Sequence, residues 1–457
     1  MKIQSRFLVL AALLQTVVFS PVEAASIESH FNQNAAFHFT EPYSHRARVG
    51  ENFEDVVLKQ IQSTQAQIWV AIHELMLPRI AEALVGAKKS GKDVRVILEN
   101  QYHVAFSKLT PAQVAALNPY MKEKYAEFLL LADAYGNHDG TTSPEEKQKA
   151  DPVLLLEAAG IPVIDDTADG SKGSGLMHHK FMVLDQRRVL VSSANFTSSD
   201  FFGDFSNPAS LGNPNAMLVI SSSSLNRLFR EEFLQMWGES GRKPRFGVKK
   251  TYRPHQQLAL EDGTQIELAF SPAGKAVKDP DTANGLIATT LGAARKSVDF
   301  ALFVFSEQSI GNALETAHDR GVRVRGLIEP SFAYRYYSEL LDLLGITLLD
   351  PKCRIEPENH PWKNPVVTAG IPIIPKGDKL HHKFSVVDQQ AVIFGSHNWS
   401  EAANRQNDET LMVIHDSSVA EQFETEFERI YSHSILGVPG WLAKKVNDDK
   451  VRCPHQP

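Results

Sequence analysis

Cysteine is nearly absent, since the 457 residues contain only Cys353 and Cys453. No cysteine lies near the N-terminal segment, which counts against lipoprotein-type processing there. In an oxidising compartment the two thiols are compatible with one disulfide that ties the C-terminal tail to a loop of the second half. Two unpaired thiols fit the sequence equally well, so the pairing stays open.

Long apolar runs are also missing after residue 24, where no stretch reaches about 18 uninterrupted apolar residues. This excludes a predicted membrane span in the mature chain, which we expect to be soluble. The N-terminal apolar run extends from Phe7 to Phe19, follows Lys2 and Arg6, and precedes Val22-Glu23-Ala24. Together these features predict a secretory signal over residues 1–24 and an exported protein, periplasmic or secreted. An uncleaved membrane anchor is the alternative.

An excess of positive charge is missing as well. The formal net charge is −7, and losing Lys2, Arg6 and Glu23 removes two positive charges and one negative, which gives −8. An acidic protein gains no general attraction to polyanions, which counts against non-specific nucleic-acid binding but leaves a local basic patch open. An apolar content of 43% and a charged content of 22% are typical of a soluble globular protein, and the length suits two domains.

The chain repeats itself at an offset of 230 residues. The run 67–72 matches 297–302, and the run 91–99 matches 321–329. Each copy has the pattern helix, strand, helix, strand, and Gly91 is a natural C-cap for a helix over 81–90. The pattern predicts an α/β fold of two domains, each a mixed, partly parallel sheet flanked by helices. Aromatic residues at i, i+4 and i+8 of two later helices predict core-facing stripes: Phe229, Phe233 and Trp237, then Phe423, Phe427 and Tyr431.

Domain boundaries follow from composition and from the repeat. We predict a signal over 1–24, a first domain over 25–240, a linker over 241–255, a second domain over 256–440 and a tail over 441–457. The region 238–255 is rich in glycine, proline and positive charge, which favours a solvated linker over a basic strip beside an anionic substrate. The first domain carries extra helices predicted to begin at Pro111 and Pro144, and the second carries a proline-rich loop over 351–375.

A string of polar residues occurs twice with the same spacing. The two copies are His178-His179-Lys180, Asp185 and Ser192-Ser193-Ala194-Asn195, then His381-His382-Lys383, Asp388 and Gly395-Ser396-His397-Asn398. A single His-x-Lys motif is common and carries little information. The same spacing after matching α/β units in both halves makes coincidence very improbable.

Each string is predicted to form a β-hairpin with a two-residue turn, Gln186-Arg187 in the first copy. This register would pair Lys180 with Ser193 and put the motif histidine, lysine, serine and asparagine of each copy on one face. Four other residues of the strings would face away: Asp185, Asp388, His179 and His382. We expect these aspartates to be structural, at the hairpin turn or in a salt bridge, and these histidines to pack or to form hydrogen bonds.

Two strings that face each other would supply two imidazoles and two ammonium groups around one anionic centre. One imidazole can attack phosphorus while the other protonates the leaving oxygen and later activates water, because a histidine pKa of about 6.5 allows both forms. Lys180 and Lys383 would stabilise the phosphate oxygens, aided by four polar donors: Ser193, Asn195, Ser396 and Asn398. Zinc binding is disfavoured because two lysines would repel the cation. We therefore expect no metal and no cofactor.

The doubled pattern resembles that of the phospholipase D superfamily. The second half fits it from Phe270-Ser271-Pro272 through Asn407-Asp408-Glu409, and the first half has Ser192 where glycine is usual. The resemblance implies two domains packed as a pseudo-dimer around one site, with His178 as nucleophile and His381 as general acid and base. It further implies that Glu409 orients a catalytic imidazole. Asn215 takes the corresponding place in the first half, which leaves His381 without an evident carboxylate partner.

Export and acidic charge favour a phospholipid as the substrate, hydrolysed by a monomer with only transient contact to a membrane surface. An exported endonuclease is the alternative within the superfamily, because the basic linker would suit nucleic acid. A non-catalytic binding protein on the same scaffold is the alternative of another class. It is disfavoured because both copies keep the motif histidine, lysine, serine and asparagine.

Overall fold

The computed structural model describes residues 25–239 and 241–453. The predicted export signal and the last four residues of the predicted tail lie outside these ranges. Within them, no helix combines the length and the apolar character needed to cross a bilayer.

The first half builds one large sheet and a small hairpin. Its strands are β1 (Ser26–Phe31), β2 (His38–Thr40), β3 (Ala47–Val49), β4 (Gln67–Ile72), β5 (Asp93–Leu98), β6 (Val163–Asp165), β7 (Lys180–Leu184), β8 (Arg188–Ser192) and β9 (Ala216–Ser221). Its helices are α1 (Phe53–Ser63), α2 (Pro78–Lys89), α3 (Pro111–Ala116), α4 (Pro119–Tyr135), α5 (Pro144–Ala150), α6 (Pro152–Ala158), α7 (Ser198–Phe201) and α8 (Ser223–Trp237).

The second half builds a larger sheet. Its strands are β10 (Gln256–Ala259), β11 (Gln265–Ser271), β12 (Ser297–Leu302), β13 (Arg323–Ile328), β14 (Ala369–Pro372), β15 (Lys383–Val387), β16 (Ala391–Gly395), β17 (Glu409–His415) and β18 (Ser434–Leu436). Its helices are α9 (Ala283–Gly292), α10 (Gln308–Asp319), α11 (Pro330–Ala333), α12 (Glu339–Leu343), α13 (Glu401–Arg405), α14 (Ser417–Tyr431) and α15 (Gly440–Arg452). Helix α15 occupies most of the predicted tail.

The two large sheets repeat one strand order. The first runs β1-β9-β8-β7-β4-β5-β6, and the second runs β11-β17-β16-β15-β12-β13-β14 with β10 and β18 added at its edges. Strands β4 and β5 pair in parallel, as do β12 and β13, whereas β7 and β15 join their sheets antiparallel to β4 and β12. A helical crossover between parallel strands explains this mixture. The predicted α/β fold of two similar domains is confirmed.

Local sequence signals explain where the helices begin and end. Helix α2 starts at Pro78, three residues before the predicted start, because proline is well suited to the first helical position. The chain turns after it at Gly91, whose φ of 87° favours glycine. The predicted starts at Pro111 and Pro144 are confirmed, and Thr110 and Ser143 form capping boxes with the residues three positions later.

The two halves share one hydrophobic core. The aromatic stripes of α8 and α14 lie in it: Phe229, Phe233, Phe423 and Phe427 are fully buried, and Trp237 and Tyr431 pack against them. The rings of Phe31 and Phe423 meet at 5.0 Å, so β1 of the first half packs on α14 of the second. The prediction of core-facing stripes is confirmed, and the stripes also join the halves.

The connection between the halves is not simply solvated. The Lys250 ammonium is buried, forms an ion pair with Glu232 on α8, and lies 2.8 Å from the Asp408 carboxylate just before β17. Arg253 also pairs with Glu232 at 2.5 Å. The expectation of a solvated linker is therefore wrong for these two cations, because buried carboxylates from both halves need positive partners.

The second half also contains the disulfide that the sequence left open. Cys353 and Cys453 are bonded, with their Cα atoms 5.7 Å apart. The bond joins the end of α15 to the proline-rich loop. Leu442 of the same helix is fully buried in the core of the second half, so the helix is held by packing as well.

Candidate active site

Backbone contacts between the halves bring the two motif histidines together. The His178 amide donates to the Asp408 carbonyl at 3.0 Å, and Met177 forms a parallel bridge with Asp408. The His381 amide donates to the Pro214 carbonyl at 3.2 Å. His178 is thus held against the chain just before β17 of the second half, and His381 is held against the chain just before β9 of the first half. The meeting of the two strings is a consequence of the sheet repeat.

The imidazole rings are oriented by residues of the opposite half. Nδ1 of His178 lies 2.8 Å from Oε2 of Glu409, the first residue of β17. Nδ1 of His381 lies 3.0 Å from Oδ1 of Asn215, which directly precedes β9. Because each Nδ1 is engaged in this way, Nε2 is the nitrogen of each ring that is available for chemistry.

The two motif lysines lie beside the histidines. Nζ of Lys180 donates to the His178 carbonyl at 2.9 Å, and Nζ of Lys383 donates to the His381 carbonyl at 2.7 Å. Burial lowers the pKa of Lys180 to about 8. Burial, and next the charge of Lys180, lowers the pKa of Lys383 well below its usual value. Two ammonium groups therefore share one water-poor site, and an anion between them would relieve their repulsion.

Burial sets the protonation of the imidazoles. It lowers the pKa of His178 well below 6.5, and the charges of Lys180 and Lys383 add to this effect. Burial lowers the pKa of His381 in the same way, followed by the charges of Lys383, Lys180 and His178. Both rings are neutral near pH 7, which is the state that a nucleophilic imidazole needs.

The motif serines are used to hold the histidine partners. The Ser193 hydroxyl donates to Oδ1 of Asn215 at 2.8 Å, and the Ser396 hydroxyl donates to Oε2 of Glu409 at 2.6 Å. The sequence assigned these serines to phosphate binding. In this structure their hydroxyl hydrogens are directed to the residues that orient the rings, and the phosphate-binding role of both serines remains a prediction.

The motif asparagines differ from each other. Oδ1 of Asn195 lies 3.3 Å from Nδ1 of His73, and its amide nitrogen lies 3.4 Å from Glu74. Oδ1 of Asn398 is buried and has no hydrogen-bond partner in the described part of the chain. The phosphate-binding role assigned to both asparagines remains a prediction.

The predicted hairpin register is wrong by one residue. Leu184 pairs with Arg188 and Phe181 with Val191, so the turn holds three residues and Lys180 lies opposite Ser192 instead of Ser193. The second hairpin has the same shape, with Val387 paired to Ala391. The extra turn residue is accommodated because the aspartate that opens each turn has a positive φ of 54°.

The two turn aspartates fasten the hairpins to the sheet. The Asp185 carboxylate accepts from the backbone amides of Gln65, Ala66 and Gln67 at 2.8–3.1 Å. The Asp388 carboxylate accepts equivalent bonds from the amides of residues 295–297 at the start of β12. Each aspartate fixes its turn against the strand beside it.

The second histidine of each string points to the helices. Nε2 of His179 lies 3.3 Å from Glu232 on α8, and Nε2 of His382 lies 2.8 Å from Glu426 on α14. Both rings are fully buried. The prediction that these histidines face away from the motif residues and form hydrogen bonds is confirmed.

Sequence comparison of the two strings missed Asp200. Its carboxylate lies 3.7 Å from Nδ1 of His381 and accepts from the Asn195 amide at 2.7 Å. The same position in the second half is Ala403, so the repeat gives no signal for it. His381 therefore has a carboxylate nearby, although a more distant one than the Glu409 carboxylate at His178.

The sequence analysis also missed His73 at the end of β4. Its ring centroid lies 4.8 Å from that of His178, and its counterpart at an offset of 230 is Phe303, whose ring lies 5.0 Å from that of His381. Glu74, next to His73, pairs with Lys124 of the inserted helix α4 at 3.2 Å. A polar pair at the end of an otherwise apolar strand was the available signal.

The arrangement suits displacement at a charged phosphorus centre. It combines two neutral imidazoles, each with a free Nε2, and two buried ammonium groups. Among the described residues, no group of three or more histidine, cysteine or acidic side chains is placed to hold a metal ion. These features define a phosphodiesterase-type site formed by two repeats of one chain.

Comparison with known proteins assigns the family. Residues 57–237 and 287–431 match the family model described as "Cardiolipin synthase, PLD-like domain". The chain belongs to this PLD-like family and hence to the phospholipase D superfamily, and it is a phosphodiesterase of that superfamily.

Individual relatives match less than half of the chain or nearly all of it. A mitochondrial cardiolipin hydrolase of Mus musculus is 31% identical over 204 residues, which covers 44% of this chain and 81% of the relative. A phospholipase D of Rickettsia typhi is 25% identical over 191 residues and covers 42% of this chain and 80% of that protein. The crystal structure of phosphatidylserine synthase from Haemophilus influenzae covers 88% of this chain and 92% of its own, with a TM-score of 0.51 and 13% identity. This last likeness shows the fold alone.

Proposed function

We propose that the protein hydrolyses phospholipid diesters through a phosphohistidine intermediate on His178 and needs no metal. The observation that carries this proposal is the 2.8 Å contact between Nδ1 of His178 and the Glu409 carboxylate. A carboxylate at Nδ1 fixes the tautomer, leaves the Nε2 lone pair free, and stabilises the positive charge that the ring gains on attack.

The first step forms one bond and breaks one. Nε2 of His178 attacks phosphorus while the bond from phosphorus to the leaving oxygen breaks, and His381 gives that oxygen a proton. In the second step neutral His381 takes a proton from water, the water oxygen bonds to phosphorus, and the phosphorus–nitrogen bond breaks. His178 is released neutral and His381 is protonated again, ready for the next turnover.

The phosphate anion also prepares the general acid. In the free protein, burial and two lysine charges lower the pKa of His381. A diester bound between Lys180 and Lys383 adds a negative charge beside His381, and this favours the protonated ring. Binding of the substrate and protonation of His381 therefore support each other.

A phospholipid is the favoured substrate because the chain is acidic overall, with a formal net charge of −7. The cardiolipin hydrolase and phospholipase D names of its relatives are consistent with this choice. We also propose export to the periplasm or the medium, on the N-terminal pattern alone. The oligomeric state that we propose is a monomer.

Nuclease activity is the second candidate, and one observation favours it. Four cations of the connecting segment line a surface cavity of about 620 Å³: Arg242, Lys243, Arg245 and Arg253. A basic groove of this kind suits a nucleic-acid backbone. Glu231 and Glu239 line the same cavity, so its charge is mixed and the phospholipid proposal is preferred.

A side-by-side assay separates these candidates. Purified protein is incubated with phosphatidylcholine, cardiolipin, single-stranded DNA and bis(p-nitrophenyl) phosphate, each with and without EDTA. We expect turnover of a phospholipid and of the aryl diester, unchanged by EDTA. Turnover of DNA alone would replace the phospholipid proposal with the nuclease, and loss of activity restored only by added metal would contradict the metal-free mechanism. No turnover of any diester would favour a binding protein.

A further inference from the structure

Exposed apolar side chains concentrate at one edge of the second sheet. We call this group the edge patch; its members are Val367, Ile373, Ile435, Leu436, Val438 and Trp441, each between 37% and 76% exposed. Monomeric proteins rarely expose large contiguous apolar areas without a partner for them. We therefore expect another molecule to cover the edge patch.

Backbone pairing gathers the edge patch at one sheet edge, where the successive residues Ile435 and Leu436 of β18 point to opposite faces of the sheet. Strand β18, the edge strand of the second sheet, pairs with β14 through Gly370 and Leu436 and through Ile371 and Ile435. The amide of Ile373 donates to the His433 carbonyl at 2.8 Å, which brings the end of β14 to the start of β18. A methyl group added at Gly437 would lie 3.9 Å from the Val367 side chain, so the loop before β14 lies against the other end of β18.

A basic and aromatic depression adjoins the edge patch. It has a volume of about 350 Å³ and is lined by Tyr334, Arg335, Ile371, Trp441, Lys445 and two residues at the start of α11. The rings of Tyr334 and Trp441 meet edge to face at 4.7 Å. None of these lining residues is acidic, and Lys445 has no ion pair within the described residues, whereas its neighbour Lys444 pairs with Asp448. The depression therefore offers cations to an anionic group.

Two ring contacts connect the segment that lines the depression to His381. Phe332, two residues before Tyr334, packs against Phe303 with ring centroids 4.9 Å apart. Phe303 in turn packs against the ring of His381 at 5.0 Å. A molecule held by Tyr334 and Trp441 would thus lie on the side of the site that belongs to His381.

We propose that the edge patch and this depression form a membrane-docking surface that binds the face of an anionic phospholipid bilayer. Half-exposed tryptophan prefers the interface between headgroups and acyl chains, and the aliphatic members of the patch would enter the upper acyl region. Arg335 and Lys445 would attract anionic headgroups through their positive charge. The proposal extends the phospholipid activity proposed above and rests on it for its purpose, since docking would bring lipid diesters to His381.

Vesicle binding tests the surface separately from catalysis. Co-sedimentation with vesicles of phosphatidylcholine, alone or mixed equally with phosphatidylglycerol, is measured in the His178→Ala background so that lipid is not consumed. We expect Trp441→Ser to weaken binding about tenfold to both vesicles, because an interfacial aromatic ring contributes roughly 1.5 kcal/mol. Lys445→Glu should weaken binding only to the anionic vesicles.

The matched control is Phe37→Ser, which removes an aromatic ring of similar exposure (49% against 51% for Trp441) from the first half. It should leave vesicle binding unchanged. All three substitutions are also made in the active chain, where turnover of bis(p-nitrophenyl) phosphate should equal that of the unsubstituted chain and thereby report intact folding.

Equal binding by the Trp441→Ser and Phe37→Ser chains would overturn the docking proposal. So would a concentration-dependent dimer that Trp441→Ser abolishes, since a second copy would then cover the patch. Failure of the two proposals is distinguishable: aryl-diester turnover without vesicle binding would remove the docking surface alone. Vesicle binding that depends on Trp441 in a protein that turns over no diester would remove the phospholipase activity alone.

Discussion

The two halves present equivalent histidines in unequal surroundings. His178 of the first half has a carboxylate, Glu409, at 2.8 Å from Nδ1, whereas His381 of the second half has an amide, Asn215, at 3.0 Å. Among the described residues, the carboxylate nearest to Nδ1 of His381 is that of Asp200 at 3.7 Å. A repeat that keeps its strand order but changes the partner of Nδ1 can give its two imidazoles different roles.

The carboxylate and the amide at Nδ1 have different effects on the charge of the two rings. A carboxylate at Nδ1 stabilises a ring that becomes cationic by bonding to phosphorus, while an amide holds a ring in place and leaves its charge free to change. This favours His178 as nucleophile and His381 as proton carrier. The two environments arise because each histidine takes the partner of its Nδ1 from the other half.

Removal of either ring should have the largest effect. We expect His178→Ala and His381→Ala each to lower kcat/KM by at least about 10³-fold, because one loses the nucleophile and the other the acid and base. The assay uses a phospholipid, whose poor leaving group needs the proton. His360→Ala, at a half-exposed histidine paired with Glu315, is the control and should keep full activity. Substantial turnover by either alanine variant would show that the halves do not share one site.

Loss of the carboxylate should come next. Glu409→Gln keeps the shape of the side chain but removes its charge, and we expect kcat to fall about 10²-fold with little change in KM. The loss should exceed that of Asn215→Ala, since the amide partner supplies no charge. An equal effect of both substitutions on kcat would mean that the two histidines are not differentiated.

The pH profile should reflect the buried lysine and histidine. His178 must be neutral to attack, and its lowered pKa keeps it neutral until the pH falls well below 6.5, so the acidic limb of kcat/KM should lie below that value. Lys180 loses its charge as the pH rises through about 8, which should produce the alkaline limb. The aryl diester is the substrate, because its leaving group departs without full protonation. Lys180→Arg should shift the alkaline limb, since a guanidinium stays charged and leaves Lys383, whose pKa is also lowered, as the amine that titrates. A limb unchanged in that variant would mean that Lys180 does not produce it.

Giving His381 a carboxylate should have the smallest effect. Asn215→Asp makes the two partners alike and should raise the pKa of His381, because a negative charge favours the imidazolium. We expect a change of only a few-fold in kcat, with the hydrolysis of phospholipid extending to higher pH. The pH dependence of phospholipid hydrolysis is measured for the Asn215→Asp chain and for the unsubstituted chain in one series. A profile that does not move between them would show that Asn215 does not set the protonation of His381.

The two-domain fold and the meeting of the two strings could be predicted from the sequence because both follow from the internal repeat. Matching α/β units before two equally spaced strings imply two similar sheets, and crossing contacts at residues 177 and 408 bring the strings together. The hairpin register could not be obtained in this way. A three-residue turn opened by Asp185 at positive φ looks like a two-residue turn when only the apolar runs are compared.

Residues outside the repeated pattern were also missed. Asp200 and His73 have Ala403 and Phe303 as counterparts, so comparison of the halves gives them no weight, and only the folded chain places them near the catalytic rings. The disulfide between Cys353 and Cys453 was left open for a similar reason, because sequence spacing cannot show that their Cα atoms lie 5.7 Å apart.

Trapping of the phosphorylated enzyme tests most directly whether the two histidines have separate roles. The His381→Ala chain is mixed with a diester and the reaction is stopped by denaturation without acid, because phosphohistidine is labile to acid. Peptide mass spectrometry should then show the adduct on the peptide that contains His178. Because Glu409 occupies Nδ1, the bond should be to Nε2 of the ring. An adduct on His381 in the His178→Ala chain, with none on His178 in the reciprocal variant, would contradict the account.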